Sequence, residues 1–246
     1  MSDAVTYETN GYVAIITMNK PDRMNRLDAE LVDALHHSWK RFMATDGERV
    51  AVIAGNGRAF SAGADLNAIP HDLYRAIPGV GVPVDKPVVA AVQGWCVGGG
   101  MVLTTMCDLM VAADDAMFSY PEVKIGFSGG LISNLASRIP HKIAMELLLT
   151  GEPITAQRAF EVGYVNKLTP TDDVLAAARS YAEAIAAHAP LPSRMLKRFT
   201  AETLPKGPTE QAGIARVQIE AINVSTDGDE GITAFMEKRP PVFEGK

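Results

Sequence analysis

The chain has 246 residues, 47% of them hydrophobic and 21% charged, with a net charge of −6. That balance is ordinary for a globular protein with a substantial core; it argues against nucleic-acid binding, which needs clustered basic residues, and no apolar stretch approaches the ~18–20 residues of a membrane span. In chain order, Met1 to Asn10 is polar and acidic and has no signal-peptide character. The β-branched run Val13–Thr17 predicts a strand, and a turn follows around Pro21. Leu27, Leu31, Leu35, Trp39 and Phe42 recur at helical spacing, which predicts an amphipathic helix over 27–43. Val50–Ala54, Val88–Val92 and Leu109–Ala113 predict further buried strands, so the architecture is α/β with strands covered on both faces. Residues 68–87 are rich in Pro and Gly and predict a loop with latitude to move, of a size that often carries function.

From about Thr171 the strand pattern stops. Four helices are predicted over 172–187, 190–203, 208–224 and 227–238. The division is an α/β core over 1–189 and a helical region over 190–246, whose apolar residues need the core or another subunit for cover. Arg194, Lys197 and Arg198 lie at helical spacing and read as a solvated helix face. Cys96 and Cys107 have no ligand-type spacing, which fits a reduced, cytoplasmic chain without a metal site.

Two clusters of small residues stand out. Ala59-Phe60-Ser61-Ala62-Gly63-Ala64-Asp65-Leu66 and Gly94-Trp95-Cys96-Val97-Gly98-Gly99-Gly100-Met101 each follow a buried strand and are predicted to lead into a helix. Small side chains let a ligand approach the backbone, and a helix start offers free N–H groups. Two such sites facing each other would place two donors on one oxygen, which is an oxyanion hole; tight packing alone is the other reading. The second cluster does not have G-x-G-x-x-G spacing, and no Gly-Lys-Ser/Thr follows it, so dinucleotide and phosphate loops are excluded. Ser61 and Ser128 have no evident His/Asp arrangement of a hydrolase.

Together with Lys20-Pro21 through Leu27, Lys86 through Gln93, Cys107-Asp108, Tyr120-Pro121-Glu122, Leu149-Thr150-Gly151 and Glu230 through Phe235, these segments resemble the enoyl-CoA hydratase/isomerase (crotonase) superfamily, in order and over almost the whole chain. The resemblance implies a crotonase-type spiral of ββα units with a C-terminal helical trimerisation region, and a homotrimer or dimer of trimers. It implies an acyl-CoA thioester substrate, with coenzyme A entering as part of the substrate and no separate cofactor. The N–H groups of Ala64 and Gly99 would form the oxyanion hole. Arg23, Met24, Arg26, Ala62, Asp65, Leu66 and Asn67 would flank coenzyme A, joined by Phe235 and Lys238 from a C-terminal helix. Arg26 would grip a phosphate or point into solvent. Asp65 and Asp108 read as fixing local turns.

Hydratases of this family pair two glutamates. Here the second is Glu122, while Val102 stands at the first position. The resemblance therefore implies an enoyl-CoA isomerase using Glu122 alone, which a nonpolar pocket would strengthen as a base. The alternatives are hydration with a compensating group, thioester hydrolysis, decarboxylation, C–C cleavage, or acyl-CoA binding without catalysis. A dienoyl isomerase is disfavoured because its further acidic position falls near Gly130. Gly126-Phe127-Ser128-Gly129-Gly130 replaces the family's Pro-Gly-x-Gly, and the segment between Asp65 and Lys86 is short, implying an unusual acyl pocket. His71, in that segment, is placed to face the pocket or to lie outside it, and Tyr120 and Cys96 read as packing residues.

Overall fold

The computed structural model describes residues 3–246. Two sheets make up its β structure. The larger has six strands in the order β1 (Val5–Asn10), β2 (Val13–Met18), β3 (Val50–Gly55), β5 (Val88–Val92), β7 (Leu109–Ala113) and β10 (Lys167–Thr169). All neighbours are parallel except β1 and β2. The smaller sheet runs β4 (Ala59–Ser61), β6 (Trp95–Val97), β8 (Met117–Ser119), β9 (Ile154–Thr155), with β9 antiparallel. Each long central strand is thus followed by a short one in the second sheet.

The central strands are β-branched or small at every position and buried on both faces, as parallel strands covered by helices require. Helix α1 (Ala29–Ala44) starts at Asp28, whose carboxylate accepts from the Leu31 N–H at 2.9 Å. It buries Leu31, Val32, Leu35, Trp39 and Phe42. Helix α2 (Gly99–Thr105) is buried throughout. Helices α3 (His141–Thr150) and α4 (Ala156–Glu161) bracket β9, and α5 (Val174–Ala186) packs on β3, β5 and β7.

The predicted strands and helices are present, with three departures. The polar segment read only as a terminus forms β1, an edge strand whose alternate residues stay exposed. The first small-residue cluster leads into turns, not a helix. Residues 68–87 are packed and not free: Ala76, Ile77, Val80, Val82 and Val84 join the core, and the Trp39 indole N–H donates to the Ala76 carbonyl at 2.8 Å.

The C-terminal helices are α6 (Pro190–Thr203), α7 (Pro208–Asn223) and α8 (Thr226–Glu237). Helix α6 buries no residue, and polar contacts tie it to the core. Arg194 pairs bidentately with Asp85 at 3.0 and 2.9 Å. Lys197 donates to the Lys86 carbonyl at 2.8 Å and to Asp108 at 2.7 Å. The reading of Arg194, Lys197 and Arg198 as one solvated face is corrected to this extent: only Arg198 is exposed. Asp108 also accepts from the Val88 N–H at 2.7 Å, so it ties the starts of β5 and β7 to α6 and does not fix a local turn. Leu191, Leu196, Ile222, Val224, Phe235 and Met236 remain exposed along these helices. Among the described residues, no helix is long and apolar enough to cross a membrane.

Hydrogen bonds to charged groups contribute about 1.5–3 kcal/mol, and Lys197 is largely covered. Replacing Lys197 with Ala is therefore expected to lower unfolding free energy by about 1–2 kcal/mol, while Arg198→Ala stays within about 0.5 kcal/mol of wild type. Urea unfolding of the two variants, giving equal losses, would remove the case for this anchor.

Candidate active site

The site is built where the Lys20–Leu27 segment grips the first small-residue cluster. Asn25 is fully buried, with its backbone at φ +50°. Its amide donates to the carbonyls of Asn56 and Ala59 and accepts from the Lys20 N–H, each at 2.9 Å. Ser61 returns a bond to the Asn25 carbonyl at 2.8 Å and accepts from the Gly63 N–H at 3.1 Å. Beyond it the Leu27 N–H donates to the Gly63 carbonyl at 2.8 Å, and the Asp65 N–H donates to the Leu27 carbonyl at 3.1 Å. Because backbone groups alternate in direction along an extended segment, binding Gly63 and Asp65 to Leu27 turns the Ala64 N–H the other way.

The second cluster approaches from β6. A Cβ on Gly63 would meet the Val97 carbonyl oxygen at 2.9 Å, and one on Gly100 would meet the Ser61 Cβ at 2.7 Å. Gly98 lies at φ +51°, ψ −115°, a region closed to residues with a side chain. Its N–H donates to Ser119 of β8 at 2.9 Å, leaving Gly99 as the first residue of α2. Neither the Ala64 nor the Gly99 N–H donates to a protein acceptor among the described residues.

Both groups border two adjoining cavities of about 340 and 420 Å³, which share Ala64, Gly99, Glu122 and Phe127. Glu122 follows β8 in a 3-10 helix, Pro121–Ile125, closed by Gly126 at φ +66°. Its Oε2 accepts from the Gly129 N–H at 2.8 Å, so the loop after the 3-10 helix supplies a backbone donor to the carboxylate. Val102, 3% exposed, lines the first cavity. Glu122 is the one carboxylate on the walls of either cavity among the described residues.

The larger cavity gathers Arg26, Ala62, Leu66 and Asn67. Asp65 lies behind them: it pairs with Arg26 at 3.1 Å and accepts from the Asn67 N–H at 3.0 Å. Arg26 is thus tied to Asp65 and not free in solvent. Met24 contributes its carbonyl, which accepts from the Ala62 N–H at 2.8 Å. Arg23 is exposed on a neighbouring turn. Phe235, 85% exposed, and Lys238 lie on or just beyond α8, off the walls of both cavities.

The smaller cavity takes in His71, which the sequence left either facing the pocket or outside it, and a face of α7 that the sequence did not mark. Thr209, Ala212, Gly213 and Arg216 form one face of α7, at positions i, i+3, i+4 and i+7. His71 and Tyr74 face them from the 68–87 segment. Tyr120, 4% exposed, lines this cavity with its hydroxyl buried beside Glu122 and Ser128, without a hydrogen bond of good geometry to either. Burial, and then the neighbouring Glu122, push its pKa far above the ordinary phenol value, so it stays protonated. Cys96 is a buried packing residue; burial pushes its thiol up to about 12, which removes it as a nucleophile.

Two free backbone donors, one carboxylate and a two-armed cavity thus stand together on a crotonase-type scaffold. The family model for enoyl-CoA hydratase/isomerase matches residues 8–246. The chain belongs to the enoyl-CoA hydratase/isomerase family and is an acyl-CoA enzyme. It is 35% identical to the (E)-benzylidenesuccinyl-CoA hydratase of Thauera aromatica, covering 98% of this chain and 99% of that one. It is 32% identical to the 2,3-dehydroadipyl-CoA hydratase of Escherichia coli, with 95% and 96% covered. The crystal structure of an enoyl-CoA hydratase from Mycobacterium tuberculosis superposes with a TM-score of 0.76, at 35% identity and full coverage of both chains.

An alanine at position 98 is expected to lower stability by about 1–3 kcal/mol through its strained backbone. Tyr120→Phe removes a buried hydroxyl that makes no hydrogen bond of good geometry, and is expected to leave stability unchanged or higher. Calorimetric melting of both variants checks this; a large loss for Tyr120→Phe would mean that the hydroxyl is bonded in the folded protein.

Proposed function

We propose that the protein shifts the double bond of an enoyl-CoA thioester, with Glu122 as the only proton carrier. The supporting observation is that Glu122 is the one carboxylate on a cavity that also presents the unpaired N–H groups of Ala64 and Gly99. The thioester carbonyl oxygen sits between those two donors. Glu122 removes a proton from the carbon next to the carbonyl. The electron pair left behind moves into the carbonyl, and the enolate oxygen is held by two fixed dipoles, worth about 3–4 kcal/mol each in the transition state. Glu122 then returns the proton two carbons further along, so a 3-enoyl thioester becomes a 2-enoyl thioester. The Gly129 N–H holds one carboxylate oxygen and leaves the other for the substrate. The arm lined by Arg26, Ala62, Leu66 and Asn67 takes coenzyme A, which enters as part of the substrate with no separate cofactor.

A second reading, water addition to a 2-enoyl thioester, is favoured by the names of the relatives, which are hydratases. Against it stands Val102, since an apolar side chain neither orients water nor relays a proton. The exposed apolar residues of α6 to α8 support assembly into a homotrimer or dimer of trimers, in which Phe235 and Lys238 of one copy would reach the coenzyme A arm of the next. Two buried free cysteines fit a reducing, cytoplasmic setting.

Ultraviolet absorbance of the conjugated product should detect Glu122-dependent conversion of 3-enoyl-CoA to 2-enoyl-CoA, and mass spectrometry should show no gain of water. Glu122→Gln should lower this rate by about 10²–10⁴-fold. Val102→Glu, which places a second carboxylate on the cavity, should add water to crotonyl-CoA. Water addition by the wild type that exceeds isomerisation would establish the second reading instead.

A further inference from the structure

The smaller arm of the cavity ends in positive charge, although most of its wall is apolar. Arg216 on α7 and His71 on the facing segment are the basic side chains on its walls among the described residues. The partner of Arg216 is Glu220, at 3.7 Å, beyond hydrogen-bond distance. Glu220 is itself taken by the Tyr74 hydroxyl at 2.8 Å. The guanidinium side chain is 70% exposed, so its planar fork is free to turn toward an anion that enters the arm.

Helix α7 gives the spacing. A Cβ on Gly130, next to the Gly129 that holds Glu122, would meet the Thr209 hydroxyl at 2.5 Å. Arg216 lies seven residues further along the same face, about 10 Å at 1.5 Å per residue. Between them Gly213 packs against Tyr74 and Val80, where a Cβ would meet Val80 at 2.7 Å, so the helix and the segment carrying His71 are held close. An acyl chain that leaves the thioester at Ala64 and Gly99 and passes Glu122 would reach Arg216 with its far end.

We propose that Arg216 and His71 form a subsite for the distal carboxylate of a dicarboxylic acyl thioester. The subsite rests on the reading of this cavity as the acyl site. A guanidinium takes a carboxylate through two parallel N–H bonds, and the His71 ring offers a further donor from the other wall. The apolar stretch between suits the methylene chain. Glu122 is the one acid on the cavity walls among the described residues, and Glu220, beside Arg216, is engaged by the Tyr74 hydroxyl.

Titration calorimetry on the full chain, with unreactive saturated thioesters, separates this proposal from the reaction. Adipyl-CoA and suberyl-CoA are compared with hexanoyl-CoA and octanoyl-CoA. At least one dicarboxylic thioester is expected to bind on the order of tenfold tighter than its neutral counterpart. Arg216→Gln should bring it down to that counterpart, and Arg216→Glu should reverse the order. Equal or weaker binding of both dicarboxylic thioesters overturns the subsite, as does a preference that survives in Arg216→Gln. Deuterium exchange next to the carbonyl of octanoyl-CoA tells the two failures apart: exchange that depends on Glu122, without a dicarboxylic preference, leaves the reaction standing and removes the subsite alone.

Discussion

The hydrogen bonds that join Lys20–Leu27 to Ala59–Asp65 are the constraint on which the site depends. Asn25 has no contact with solvent, and its amide is spent on three backbone groups, Lys20 in its own segment and Asn56 and Ala59 across from it. Ser61 and Leu27 continue the same seam. A buried polar group without partners is costly, so this seam closes in one register or not at all. In that register Gly63 and Asp65 are occupied and Ala64 is left with its N–H turned away from Leu27, toward the cavity wall it shares with Gly99. Glycine at 63 is then demanded by contact and by positive φ together, and glycine at 98 by its backbone conformation.

On this frame the proposed double-bond shift turns on a difference of one side chain. The family's paired carboxylates become one carboxylate and one isopropyl group, and the lost charge changes what the pocket can do with water. A single fixed base beside two fixed dipoles still suffices to make and quench an enolate. The glycine loop after Glu122 compensates locally, because the Gly129 N–H orients the carboxylate that remains.

The helical region is attached by charge and not by apolar burial. Arg194 and Lys197 reach Asp85 and Asp108 beside the ends of the central strands, while α6 keeps its apolar residues outward. Charged contacts with partial solvent exposure are weaker than a packed core, yet they leave an apolar surface open to other copies of the chain. Helix α7 is the exception, since one of its faces closes the smaller arm of the cavity.

The strands Val13–Thr17, Val50–Ala54 and Val88–Val92, the helix after Asp28 and the three C-terminal helices were legible in sequence because periodicity and β-branching report burial directly. Glu122, Ala64 and Gly99 were legible only through ordered motifs, since a glycine looks the same in a packing contact and in a ligand site. Strands of two or three residues, such as β4, β6 and β9, are too short to show a period. The pairing of Arg26 with Asp65, the anchoring of Lys197 and the α7 face that meets His71 were decided by tertiary structure alone. Each joins residues whose chemistry is plain but whose partner lies tens of residues away, and no local pattern records which distant groups the fold brings within hydrogen-bond reach.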